Sequence, residues 1–354
     1  MATPTHSAAG TNRAAACWEQ ARIPSPSGPV PARVYRPGTS APQGRLVWAH
    51  GGSRRAGSAQ DWHGATAELA QSSGFAVVSV DYRPAPEVRH PAMVEDVLSA
   101  LARVRDQAGG AAPVAVGGDS AGATLAACAA LACRDRALPL AAQILAYPPL
   151  DPGCTAASYH RFPDMLPTAS CLAAAWQDYR QPGRPVAADG TRLHSTPFEA
   201  SDLCGLAPAV MATGDLDPVS DDVHRYGRLL RAAGVEVVLR EFRQTGHGAF
   251  LQPGRAPGGH TTMSLRGCGR CWARAASYRT QGPAADDPDL RPGRPAALVR
   301  AAGRGLRPPG VPPADPGGCV PLPEGDMTPR RRRRAQPAGR PGRWACGRAH
   351  GCTT

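Results

Sequence analysis

The stretch Val114-Ala115-Val116-Gly117-Gly118-Asp119-Ser120-Ala121-Gly122, running on into the Ala-rich segment that ends at Cys133, decides the fold. Val114 to Gly117 reads as a short buried strand, and Ala121 to Cys133 as an apolar helix. Gly118 to Gly122 is then a Gly-x-Ser-x-Gly turn between a strand and a helix, the arrangement of a nucleophile elbow. Such a turn strains the serine backbone and holds its Oγ out at the edge of a sheet. Positions 118 and 122 must lack side chains so that strand and helix can approach. The pentapeptide alone is a weak signal, because roughly 0.2 chance matches are expected at this Gly and Ser content and an ordinary Gly-rich turn reads the same. Its surroundings must carry the reading.

Working outward, short strands read at Ala32–Tyr35, Leu46–Ala49, Phe75–Val80, Gln143–Tyr147, Ala209–Thr213 and Val235–Phe242. Helical stretches lie between them, at Trp62–Ser72, Met93–Arg105 and Val223–Ala233, with a possible further helix that carries Trp176 and Tyr179. Met93, Val97, Leu101 and Val104 show the helical spacing most clearly. Strands separated by helices predict an α/β class, a mostly parallel sheet covered on both faces. In such sheets the polar residues at the carboxyl ends of strands are the ones to weigh as a site.

A serine nucleophile needs a base, a group to orient the base, and donors for an oxyanion. Gly246-His247-Gly248 follows the last strand and offers His247 as the base, favoured over nine other histidines by its Gly-flanked loop at that strand end. Gly214-Asp215-Leu216-Asp217-Pro218 follows the preceding strand. Asp217 is the candidate acid there, with Asp215, Asp221 and Asp222 as rivals, the last two also suited to capping the next helix. His50-Gly51-Gly52-Ser53 follows the strand Leu46–Ala49 and suits an oxyanion loop, with backbone N–H donors expected from Gly52, Ser53 and Ala121. The order Ser, Asp, His is that of the α/β-hydrolases and differs from the chymotrypsin and subtilisin orders.

These motifs, together with Asp81-Tyr82-Arg83-Pro84-Ala85-Pro86-Glu87, Pro91-Ala92, Glu95-Asp96 and Tyr147-Pro148, are collinear over residues 21–251. They resemble the hormone-sensitive-lipase-like family of α/β-hydrolases, the microbial carboxylesterase branch. The resemblance implies an α/β-hydrolase fold with a small cap, hydrolysis of short-chain acyl esters, and no metal or other cofactor. It also places the catalytic acid on the Asp of the Asp-Pro pair, Asp217. His50, Gly51, Gly118, Asp119 and Gly122 support the motif. Three departures stand out. Ser53 occupies the position of a usual third glycine. Few residues precede His50 to form an N-terminal cap, so residues 152–195 are expected to supply it. No closing amphipathic helix reads after Leu251. Within the same triad, an N-acyl or O-acetyl deacetylase and a non-catalytic hydrolase-fold binding protein are the competing readings.

The composition bounds the alternatives. All 40 basic residues of the 354-residue chain are Arg, against 28 acids, for a net charge of +12. Without lysine there is no P-loop lysine, no kinase strand lysine and no Schiff base with pyridoxal phosphate. Asn12 is the only asparagine, and Ile23 and Ile144 the only isoleucines, a pattern that fits a G+C-rich coding sequence. Residues 1–254 hold 22 Arg and 22 acids; residues 255–354 hold 18 Arg and 6 acids, which accounts for the whole excess. The domain reading is therefore a flexible 1–20, a catalytic 21–254, and an Arg/Pro/Gly-rich tail at 255–354 expected to be disordered. A reading-frame shift near residues 252–260 would generate such a tail, and the nucleotide sequence tests that.

Nucleic acid is not the expected partner, since the Arg-rich tail has no recognisable domain or aromatic platform. Cys268 and Cys271 form a C-x-x-C, but Cys319, Cys346, His350 and Cys352 give no standard zinc spacing. The eleven cysteines suggest no disulfide framework, Met1–Gln20 has no apolar core for a secretory signal, and no 18-residue apolar run occurs. The cytoplasm is the expected compartment, and a homo-oligomer is a possible assembly.

Overall fold

A computed structural model describes residues 17–249 apart from 39, 40, 110, 111, 184 and 188. Eight strands form one sheet: β1 (Cys17–Ile23), β2 (Val30–Arg36), β3 (Arg45–Ala49), β4 (Ala76–Val80), β5 (Val114–Asp119), β6 (Gln143–Ala146), β7 (Ala209–Gly214) and β8 (Val237–Phe242). Their spatial order is β1-β2-β4-β3-β5-β6-β7-β8. The two junctions that involve β2 are antiparallel, and every pairing from β4 to β8 is parallel. The mostly parallel α/β sheet read from the sequence is thus present, and every residue of β4, β5, β6 and β7 is buried.

The helices are α1 (His63–Ser73), α2 (Ala92–Ala108), α3 (Ala121–Asp135), α4 (Ala157–Arg161), α5 (Ala169–Tyr179) and α6 (Ser220–Ala232). From β3 the chain passes through α1 to β4 on one side, then through α2 to β5 on the other side of β3. Right-handed crossovers in opposite directions put α1 on one face of the sheet and α2 on the other. That reversal leaves a crevice at the carboxyl ends of β3 and β5, where ligands of open α/β sheets bind. His50–Ser53 leaves β3 there and Ser120 leaves β5 there, which sets the place of the site. Helix α3 runs through the interior, with Ala121 to Cys133 buried without interruption. Its small side chains let it lie close to β3, β5 and β6.

The expected flexible N-terminus needs correction at residues 17–20. They form the first half of β1, paired in register from Cys17 with Arg36 to Ile23 with Val30. Most of β1 faces solvent, so its sequence has no apolar alternation to reveal it. Residues 152–195, expected to build the cap, contain α4, α5 and an isolated antiparallel bridge between Val186 and Arg192. Cys17, Cys128, Cys133, Cys154 and Cys171 carry free thiols. The tail at 255–354, the Cys268/Cys271 pair and the segment after Leu251 lie outside the described residues.

Candidate active site

Ser120 sits between β5 and α3 with φ 50° and ψ −124°, a backbone conformation that an L-residue adopts only under constraint. The constraint is visible in the flanking glycines. A Cβ on Gly122 would lie 2.1 Å from the carbonyl oxygen of Ala49, and one on Gly118 would lie 2.4 Å from the carbonyl carbon of Gly122. Strand β3, strand β5 and the first turn of α3 therefore touch backbone to backbone, and the turn has no room to relax. The Ser120 N–H donates to the Ala146 carbonyl at 2.8 Å, which fixes the turn against β6 as well.

The loop after β8 brings His247 to this serine. His247 Nε2 lies 2.8 Å from Ser120 Oγ, and Nδ1 lies 3.0 Å from both carboxylate oxygens of Asp217. A carboxylate only accepts, so Nδ1 carries the proton and Nε2 is left bare toward the serine hydroxyl. Asp217 is fully buried and also accepts the Val219 N–H at 3.0 Å. The loops after β7 and β8 meet closely enough that a Cβ on Gly214 would come within 1.9 Å of the Thr245 carbonyl oxygen. Tyr147, at the end of β6, packs its ring 4.7 Å from that of His247 and limits the imidazole's freedom.

The rival acids have other partners. Asp215 accepts the Thr245 N–H at 3.2 Å and so pins the histidine loop. Asp221 accepts the Ser158 N–H, and Asp222 accepts the N–H groups of Leu150 and Asp151 together with the Tyr159 hydroxyl. Burial pushes the Asp222 carboxyl up to about 6.

The carbonyls of the loop after β3 accept hydrogen bonds from within the fold. Tyr82 donates its hydroxyl to the carbonyls of His50 and Gly51 at 2.9 and 3.2 Å. His50 donates Nδ1–H to the Gly51 carbonyl at 2.7 Å and stacks on Tyr82 with ring centroids 4.4 Å apart. Burial holds the His50 pKa below its ordinary value, so the ring is neutral and serves the loop's shape. The Gly52 carbonyl accepts from Arg55 and Ala56, each at 3.0 Å. With those carbonyls engaged, the N–H groups of Gly52, Ser53 and Ala121 find no acceptor among the described residues. Gly52 needs its φ of 102°, because a Cβ there would meet the Ala56 carbonyl oxygen at 2.0 Å. Ser53 has a left-handed φ of 56°, the conformation for which the missing third glycine would be suited.

Asp119 lies behind the serine, buried, and accepts the indole N–H of Trp62 at 2.8 Å. Burial pushes its carboxyl up to about 7, against the pull of Trp62, His247, Trp48 and the Gly51 amide. A Cβ on Gly51 would lie 2.6 Å from the Asp119 carboxylate, so this glycine keeps the loop and the elbow in contact. Trp62 escaped the sequence reading because it opens an otherwise polar helix. Tyr147 was legible through the Tyr147-Pro148 pair and its place at the carboxyl end of a strand.

A family model described as the alpha/beta hydrolase fold matches residues 46–251. The chain belongs to the α/β-hydrolase fold family. This agrees with the resemblance to its hormone-sensitive-lipase-like branch. The carboxylic ester hydrolase LipN of Mycobacterium tuberculosis is 38% identical over 250 residues, which cover 67% of this chain and 65% of LipN. This α/β-hydrolase thus spans just under two thirds of that relative's length. The ethyl acetate hydrolase of Pseudomonas putida is 34% identical over 221 residues, covering 59% and 68% of the two chains. Among solved structures, the esterase LipW of Mycobacterium marinum superposes with a TM-score of 0.64 at 31% identity, over 73% of this chain and 82% of that one.

No helix among the described residues of this α/β-hydrolase is long and apolar enough to cross a membrane. No group of three or more His, Cys, Asp or Glu that could hold a metal ion occurs among them.

Proposed function

We propose that the protein is a serine carboxylesterase that hydrolyses short-chain acyl esters through an acyl-enzyme. The observation that carries this reading is the hydrogen-bonded line Ser120 Oγ, His247 Nε2, His247 Nδ1, Asp217. Ser120 Oγ attacks the ester carbonyl carbon as its proton passes to His247 Nε2. Asp217 holds the imidazole in the required tautomer and stabilises the imidazolium that forms. The carbonyl oxygen gains the negative charge and takes hydrogen bonds from the amides of Gly52, Ser53 and Ala121, which are otherwise unused among the described residues. His247 then returns the proton to the alcohol as the C–O bond breaks. Water deprotonated by the same nitrogen attacks the acyl-enzyme, and Ser120 leaves with the proton.

A short acyl chain is supported by the relative named for ethyl acetate and by an acetyl-hydrolase of Streptomyces hygroscopicus at 31% identity. The latter also keeps removal of an acetyl group from a small metabolite as a second reading on the same residues. A binding protein without chemistry is disfavoured, since no member of the line is lost. Ser120→Ala should abolish hydrolysis of a small chromogenic butyrate ester while leaving the thermal transition in place. Retained turnover would remove Ser120 as nucleophile, and a panel of esters from acetate to decanoate would place the acyl-chain limit.

A further inference from the structure

Arg54 follows the oxyanion loop directly, and its side chain is fully buried. None of its three guanidinium nitrogens, Nε, Nη1 and Nη2, has a hydrogen-bond partner among the described residues. The guanidinium lies 3.8 Å from the ring centroid of Trp176 and 4.6 Å from that of Tyr179, both on α5. Two aromatic faces attract a cation, but they leave the in-plane N–H groups unused, and they do not supply a counter-charge.

A charge this deep ordinarily has a paired carboxylate, because removing it from water is costly. Arg54 has none among the described residues. Four titratable groups, Tyr179, Tyr82, Cys128 and Tyr159, face it, and the Cys154 thiol near them is pushed up to about 11 by burial and is neutral. Burial pushes the pKa of each of them up, so all four hold their protons and none is an anion. Tyr82 and Tyr159 already donate their hydroxyls to His50 and to Asp222. Glu199 is engaged by Arg180 and Ser195. His90, edge-on to Tyr179, has its pKa pushed down to about 4 by burial and is neutral. Two further buried donors in this cluster lack an acceptor among the described residues, the Tyr179 hydroxyl and the Trp176 indole N–H.

The cluster therefore holds one positive charge and a surplus of donors. We infer that it is a binding site for a small monovalent anion of halide size, held in the plane of the Arg54 guanidinium between α5 and the core. Water could satisfy some of the donors but would leave the charge uncompensated. Full enclosure selects a small ion that sheds its hydration shell over a bulky one. The inference rests on the surroundings of Arg54 and not on the proposed chemistry.

The full chain is tested by thermal unfolding at constant ionic strength, with sodium chloride replacing sodium gluconate stepwise. The wild type should gain about 5 °C or more when chloride reaches roughly 100 times its dissociation constant, with saturation. Arg54→Met, which leaves no charge to compensate, should fold in gluconate and show no response to chloride. Crystals grown in sodium bromide should show an anomalous peak within hydrogen-bond distance of the Arg54 guanidinium. That peak decides the matter even if Arg54→Met does not fold. A flat chloride response together with no bromide peak at Arg54 would overturn the inference, as would an Arg54→Met protein with the wild-type chloride response.

Discussion

Trp62 donates its indole N–H to Asp119 at 2.8 Å, and this one bond ties the start of α1 to the residue that precedes Ser120. Asp119 has its carboxyl pushed up to about 7 by burial, whereas an unfolded aspartate titrates near 3.9. Between those values the folded protein binds the proton more tightly than the unfolded chain. The stability Asp119 contributes is thus fully present below about pH 4 and is lost as the pH rises through about 7. Asp119→Asn removes the titration. Urea unfolding from pH 4 to 8 should show the wild type losing stability relative to the variant, at a slope on the order of 1.4 kcal/mol per pH unit between the two titration points. A pH-independent difference would contradict this account. Trp62→Phe removes the strongest donor to the carboxylate and should cost about 1.5–3 kcal/mol at pH 8.

The choice of acid can be tested against its rivals. Asp217→Asn leaves the volume intact but lets His247 hold the wrong tautomer, so kcat should fall about 1,000- to 10,000-fold. Asp222→Asn keeps one oxygen for Leu150, Asp151 and Tyr159 but replaces the second with an NH2 group and removes the charge, so kcat should stay within several-fold of wild type. Steady-state kinetics beside thermal melts separate the two effects. Equal losses of kcat in both variants would overturn the assignment of Asp217.

Much of this was legible because each element agreed with its neighbours. Val114–Gly117 and Ala121–Cys133 frame Ser120 unambiguously, and the elbow glycines announce a close approach that β3 and α3 realise. His247 and Asp217 could be placed because catalytic groups in this class collect at strand ends. The choice of Asp217 over Asp215 was not decided by spacing, since both lie in one turn; the family resemblance chose, and His247 Nδ1 lies 3.0 Å from both Asp217 carboxylate oxygens. Strand β1 was invisible because its exposed face carries no alternation. Arg54 was invisible for the opposite reason, since an arginine beside another in a polar loop gives no sign that its side chain turns inward.

Ser53 adopts a left-handed φ of 56°, where a Cβ is strained. Ser53→Gly should relieve that strain and raise stability by up to about 1 kcal/mol, the gain being limited by the greater freedom of glycine in the unfolded chain. The amide at 53 is kept, so kcat on a short ester should stay within about three-fold of wild type. Ser53→Val adds a branched Cβ at the same φ and should lose both stability and rate. The order Gly above Ser above Val in melting temperature is the expected result, and a more stable Val variant would rule out strain at this position.

Two glycines in helices should behave oppositely when given a methyl group. At Gly122, in the first turn of α3, a Cβ would meet the carbonyl oxygens of Ala49 and His50 at 2.1 and 2.4 Å. Both are backbone atoms of β3 and the loop that follows it, so neither can swing aside. Gly122→Ala should therefore displace the elbow, cost more than about 3 kcal/mol and remove esterase activity. At Gly64, in the first turn of α1, a Cβ would meet nothing within 4 Å. Gly64→Ala should be neutral or stabilise by up to about 1 kcal/mol, since alanine loses less backbone entropy in a helix. Soluble expression and melting temperature of the two variants give the comparison directly. A well-folded, active Gly122→Ala protein would show that β3 and α3 have room the present packing denies them.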